Sequence, residues 1–419
     1  MTTNDSIYDW IIVGGGISGI SIAEILCREG KSVLLLEKNE SLASETSKVF
    51  HEWVHSGALY TLLPDKLLTL RYLLGATDDL IEYYSSFPGM NLIPSESGIK
   101  VSGPGWFNDD RIEFLYKIHK LNPIWLSLVS RSAELISMVA RHDWLRKRAG
   151  SEYGGSGIKL QRQFSNTVAQ LRSHDDFFSV ISPDFTMNSR ILMSELLSSA
   201  VNNGLEVLTG AEVEAIDDNN GVVHVNVLDD TYRTKNVVVC SPTATAELVG
   251  LPIKTAYAPM VTVENIPDTA NSFVELDYWP RKCINLLKKG NGIGLAGGIT
   301  LDDQKDVKPY LEYVIAQHKI RNPSLKVVDT YVGLKQELVQ KGENRNYLYH
   351  INQTNSNVWT VVLGKFTLAF SMAPEFYRRV YHKNPNKITK TEISSKINPL
   401  LSATAWQEII NKKGDKSWE

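Results

Sequence analysis

Gly14, Gly16 and Gly19 are spaced G-x-G-x-x-G within Gly-Gly-Gly-Ile-Ser-Gly, and a carboxylate follows at Glu37. Each glycine answers a separate steric demand: the first allows a tight turn, the second lets backbone approach a pyrophosphate, and the third lets a helix pack closely on a strand. Backbone N–H groups at a helix start, here Ile17 and Ser18, favour a diphosphate together with the helix dipole. Glu37 can accept hydrogen bonds from ribose hydroxyls. The chemistry these residues predict is dinucleotide binding. NAD and FAD both use this unit, and the spacing alone does not choose between them.

The surrounding elements suit that task. Residues 8–13, Tyr-Asp-Trp-Ile-Ile-Val, read as a strand buried on both faces. Ile17–Glu29 carries a helical apolar pattern that stops at Gly30, and Ser32–Leu36 reads as a second buried strand, completing a strand–helix–strand crossover. Helical patterns recur over Leu67–Tyr84 and Arg111–Arg148. The chain then returns to the nucleotide-binding layer between Ile181 and Cys240. That stretch holds a helix at Arg190–Asn203, strands at Glu206–Leu208 and Val237–Cys240, and a hairpin-like run at Val222–Val227. Residues 254–333 alternate β-rich runs with turn signals, which predicts an antiparallel sheet. Trp359–Leu363 reads as a last strand before a helix from Leu368. The expected architecture is α/β, with a Rossmann-like dinucleotide-binding domain and a second, mainly antiparallel β-sheet substrate domain carrying helices. The first domain takes residues 1–85, 181–250 and 355–385, and the second takes 86–180 and 251–354. The lysine-rich tail, 386–419, is expected to be solvated surface.

Composition sets outer limits. The 419 residues are 43% hydrophobic and 22% charged with a net charge of -3, which fits a globular chain of two domains with no overall pull toward nucleic acid. Cys27, Cys240 and Cys283 form no CxxC and no paired framework, so no metal site and no disulfide scaffold is expected. The polar amino terminus and the lack of a long apolar run predict a cytoplasmic protein without a signal peptide or membrane span.

Beyond Glu37 the chain resembles the D-amino-acid oxidase superfamily of FAD-dependent oxidoreductases, which includes glycine oxidase and L-2-hydroxyglutarate dehydrogenase. Three segments carry the resemblance: the glycine motif with Glu37-Lys38 and Ala43-Ser44-Glu45-Thr46-Ser47; Asn188–Leu192 with Gly204–Leu208 and Ala211–Ile216; and Gly364–Ala369. It implies FAD as cofactor. Lys38, Ser44, Thr46 and Ser47 would then lie near the diphosphate and ribityl chain, Val213 would touch the adenine through its backbone, and Ser241 would join the cofactor-binding set. Gly364, Lys365, Phe366 and Thr367 would cover the pyrimidine of the flavin. His55-Ser56-Gly57-Ala58-Leu59-Tyr60 is similar to a run in L-2-hydroxyglutarate dehydrogenases. There are departures: where the family often has an arginine that clamps a substrate carboxylate, this chain reads Gly333-Leu334-Lys335, a point charge instead of a fork.

The resemblance implies dehydrogenation of a small alcohol, 2-hydroxy acid or amine by hydride transfer to flavin N5, with oxygen or another acceptor taking the electrons. His55 is the first choice for catalytic base, because an imidazole titrates near neutrality, and His51 is the alternative. Lys335 is a candidate anion clamp, Lys365 a candidate positive charge near the flavin, and Tyr60 a candidate for orienting substrate. Two other readings stay open: a glycine-oxidase-like amine oxidase acting on an amino acid or on a modified nucleotide or sugar, and a flavoprotein whose FAD is not reduced.

Overall fold

The computed structural model describes residues 6–60, 65, 67–95, 98–117, 171–173, 177–219, 221–228, 230–277, 282–339, 346–387 and 400–415. Strand β1 (Ile7–Val13), helix α1 (Ile17–Arg28) and strand β2 (Val33–Leu36) form the crossover that the sequence predicts. β1 pairs in parallel with β2 on one side and with Asp230–Val239 on the other. Alternation along these strands fills both faces of the sheet. Trp10, Ile12, Val33 and Leu35 join the helical core, while Ile11, Val13, Leu34 and Leu36 pack with Val223, Val225 and Val237 on the opposite face. Leu205–Leu208 extends the sheet beyond β2, and Val358–Leu363 pairs in parallel with Asp230–Val239.

A second sheet runs in the order 326–338, 253–264, 293–298, 282–290, 272–277, 107–117, 177–187 and 53–54. It is antiparallel except where Ser272–Asp277 lies parallel to Phe107–Lys117. The helix Val307–Arg321 backs it, packing Val314 into a cluster with Val261, Val263 and Leu286.

Three readings of the sequence are corrected here. Residues 111–117 are strand rather than helix, because Ile112, Phe114 and Tyr116 alternate into the sheet interior; the helices expected from residue 118 to Arg148 lie outside the described residues. Residues 177–187 belong to the second sheet, so the return to the nucleotide sheet begins at the helix Ser189–Asn202. The end of the tail is not simply solvated: residues 400–415 dock onto the body through the helix Ala405–Asp415. Among the described residues no helix is long and apolar enough to cross a membrane, and no group of His, Cys, Asp and Glu is able to hold a metal.

The helices Leu68–Tyr84 and Ala369–Tyr381 follow the two segments that carry His55 and Lys365, and a buried ionic cluster joins them. Arg378, fully buried, donates to Asp79 and Tyr83 at 3.1 Å and to Glu375 at 3.5 Å. Burial raises the Asp79 carboxyl to about 6 against the pull of the guanidinium. Removing one partner would leave uncompensated buried charge. Arg378→Met is expected to cost about 3–5 kcal/mol in chemical denaturation, and a loss under about 1 kcal/mol would contradict this role.

Candidate active site and cofactor cleft

The carboxyl ends of β1, β2, Asp230–Val239 and Val358–Leu363 open into a cleft of about 1140 Å³ that is continuous with solvent. Ligands of open parallel sheets bind at this end of the strands. Of the cofactor residues expected from the sequence, Gly14, Gly16, Ile17, Ser18, Glu37, Lys38, Ser44, Thr46, Ser47, Val213 and Ser241 line it together.

The turn is built as its glycines require. Gly14 has φ +105°, and a Cβ at Gly19 would stand 2.0 Å from the Gly14 carbonyl oxygen, so the third glycine seats α1 on β1 rather than lining the cleft. Gly15 N–H donates to Glu37 Oε2 at 2.7 Å, and Ile17 N–H donates to Ser47 Oγ at 3.0 Å. Asn39 donates its backbone N–H and its side-chain amide to Glu37 Oε1 at 3.0 and 2.6 Å, fixing the carboxylate at the cleft wall. Close-approach glycines, an oriented carboxylate and a helix start facing a deep cleft fit the diphosphate and ribose of FAD.

The loop from Leu42 onward forms the other wall and is held from three directions. Arg190 donates to the carbonyls of Ser47 at 3.0 Å and Ala43 at 3.4 Å, and burial brings its guanidinium down to about 10. Glu52, in a left-handed conformation (φ +55°), is almost wholly buried and accepts from Ser189 Oγ at 2.6 Å, from Ser189 N–H at 3.0 Å and from Trp406 Nε1 at 2.9 Å. Its second oxygen is ion-paired with Lys289 at 2.9 Å. From the carboxyl end of the chain, Leu400 accepts from Leu42 N–H at 2.7 Å, Ser402 donates to Leu42 and Ala43, and Glu408 pairs with Lys48 at 2.7 Å.

Past the inner end of the cleft, at Phe50, Gln336 and Leu363, lies a polar, aromatic cluster. Phe50 meets Phe366 edge-on at 5.6 Å. The His55 ring lies 4.0 Å from the Trp53 ring and 5.5 Å from Tyr60, and its backbone N–H donates to Thr367 Oγ1 at 3.0 Å. Tyr347 stands 5.4 Å from Tyr60. Lys365 Nζ sits over both rings, at 4.6 and 4.8 Å, and Lys335 Nζ is 5.1 Å from Tyr347. Lys335 is also ion-paired at 2.6 Å with the buried Glu337, so its charge is partly matched. Burial first, and then Lys365, His51 and Lys335, hold the His55 imidazole well below its ordinary value. Burial, Lys289 and Lys365 bring His51 down to about 3. Both rings are therefore neutral at neutral pH.

The candidate catalytic residues His55, Tyr60 and Lys335 thus fall in one cluster with Lys365 and Thr367. Gly364 instead packs under Leu348, where a Cβ would meet the Leu348 carbonyl at 2.5 Å. Several residues of the site were not singled out in the sequence: Asp184, Tyr347, Glu337, Glu52 and its partners Lys289 and Trp406. Asp184 left a trace, a carboxylate inside the apolar run 177–187; the rest are joined to the site only by the fold.

If the carboxyl-terminal segment holds the cofactor loop, Trp406→Phe, which removes one hydrogen bond to a buried carboxylate, should weaken FAD binding roughly tenfold in equilibrium titration. Unchanged affinity in a folded variant would show that the loop holds its shape without this contact.

Comparison with known proteins agrees with this geometry. A family model described as "DAO: FAD dependent oxidoreductase" matches residues 9–334. Over 54 residues the chain is 41% identical to UDP-galactopyranose mutase from Mycoplasma pneumoniae; this match spans 11% of the chain and only 14% of that protein. In three dimensions the chain is similar to L-amino acid deaminase from Proteus myxofaciens (TM-score 0.64, 16% identity, 96% of this chain and 94% of that one). It is also similar to L-alpha-glycerophosphate oxidase from Mycoplasma pneumoniae, solved with FAD bound (TM-score 0.63, 16% identity, 91% and 97%). At such identities the structural likeness establishes the fold, and the family match extends over residues 9–334, most of the chain: the chain is a member of the DAO family of FAD-dependent oxidoreductases.

Proposed function

We propose that this enzyme dehydrogenates a small alcohol or 2-hydroxy acid, preferring one that carries a negative charge. The observation that carries this reading is the cluster at the inner end of the cleft: a neutral imidazole at His55, phenols at Tyr60 and Tyr347, and the ammonium groups of Lys365 and Lys335. Three of these groups, His55, Tyr60 and Lys365, come from segments expected to serve the cofactor, and Tyr347 and Lys335 from the stretch 251–354 expected to serve the substrate, so the reacting groups would sit where the two meet. FAD, when bound, would supply the two-electron acceptor for oxidation of the substrate carbon.

The chain's own groups serve the other half of the reaction. His55, uncharged at rest, accepts the hydroxyl proton. Lys365, with Lys335 behind Tyr347, provides the positive field that attracts a carboxylate or phosphate and stabilises developing negative charge on oxygen. That field disfavours a protonated amine. The amine reading retains support from the neighbours, one of which is an L-amino acid deaminase while another is a glycerophosphate oxidase.

The test is anaerobic mixing of the FAD-loaded protein with 2-hydroxy acids, phosphorylated polyols, amino acids and simple amines. Bleaching by an anionic alcohol is expected, slowed by about 10²–10⁴-fold in His55→Gln with FAD affinity retained. Bleaching by amines alone would replace this reading with amine oxidation, and no bleaching across the panel would favour a flavin that is not reduced.

A further inference from the structure

Asp184 lies beside His55, although nothing in the local sequence connects the two. It is 1% exposed and belongs to the strand Phe177–Met187 of the second sheet. Its Oδ2 accepts from Trp53 Nε1 at 2.8 Å, and its Oδ1 accepts from Ser56 N–H at 2.8 Å and from Ser56 Oγ. Those donors bracket His55 in the chain, so the carboxylate grips the segment on both sides of the imidazole. The Asp184 Oδ2 atom itself stands 3.8 Å from His55 Nδ1, a buried ring nitrogen with no hydrogen-bond partner.

We propose that Asp184 is the positioning residue for His55, holding the imidazole as the Nδ1–H tautomer so that Nε2 is the atom that takes the substrate proton. This rests on the reading of His55 as the proton acceptor. All the donors to Asp184 from residues 53 and 56 are neutral, so its negative charge remains to be matched by a proton arriving on the ring. Facing that proton are Lys365 and Lys335 from other elements and His51 from the same segment, each of which disfavours an imidazolium. Asp184 opposes them. The proton balance is simple: the substrate O–H bond breaks, an N–H bond forms at Nε2, and Nδ1–H, already present, closes the 3.8 Å gap toward the carboxylate. Hydrogen bonds that tighten only as charge develops are common in catalytic pairs.

The test needs no substrate. In FAD-loaded protein with ¹⁵N-labelled histidine, the His55 signals are assigned by their loss in His55→Gln, and the nitrogen shifts give the tautomer and its titration. The wild type is expected to show Nδ1–H. Asp184→Asn should lower the His55 pKa by about one unit or more and shift the tautomer balance toward Nε2–H. Ser56→Ala, which keeps the carboxylate, should leave both unchanged. A wild-type ring found as Nε2–H overturns the proposal even if Asp184→Asn does not fold, as does a folded Asp184→Asn with wild-type tautomer and pKa. If Nδ1–H is found and lost as expected while His55→Gln reduces flavin at the wild-type rate, the orientation stands and the assignment of His55 as base fails.

Discussion

The Glu52 carboxylate ties together four parts of the molecule that are far apart in the chain. It sits on the cofactor loop, accepts from Ser189 at the start of a nucleotide-layer helix, pairs with Lys289 in the second sheet, and accepts from Trp406 in the last described helix. Burial pushes its pKa up, but Lys289 and the surrounding donors more than offset this and the net shift is downward. A buried ion pair of this kind adds little over an apolar contact, yet it is costly to leave half-made. Its consequence is specificity of arrangement: the loop cannot leave one sheet without breaking its contact with the other. Because His51 precedes Glu52 directly and His55 follows it by three residues, their position relative to the cleft depends on that knot.

The polar cluster beyond the cleft is built differently. Around Tyr60 and Tyr347 ammonium groups lie against aromatic faces beside two neutral imidazoles. The aromatic faces help to hold Lys365 there, since a ring's negative face attracts an ammonium. The result is a cluster whose potential is set by fixed groups, the arrangement that the proposed chemistry needs to favour developing negative charge on a reacting oxygen.

How much was legible in the sequence depended on distance along the chain. The β1–α1–β2 unit was readable to within a residue or two because every contact that defines it, from Gly14 to Glu37, is local. His55, Tyr60, Lys335 and Lys365 were named individually, but their meeting across three segments was not visible. The strand Phe107–Lys117 was misread because an apolar run that alternates every second residue also satisfies part of a helical spacing. The docked end of the chain was missed for a different reason: Ser402, Trp406 and Glu408 look like ordinary surface residues, and only partners some 350 positions away give them work. Asp184 was the one missed residue with a local signal, a charge within an apolar strand.

The most direct test of the account is to release and identify whatever cofactor the purified protein carries. Heat or acid denaturation followed by mass spectrometry and absorbance should yield FAD, close to one per chain in protein loaded to saturation, with affinity lost when Glu37 is replaced by Ala. Recovery of NAD, or a colourless protein that takes up no FAD, would contradict the assignment of the cleft and leave the glycine turn as a binding site for another dinucleotide.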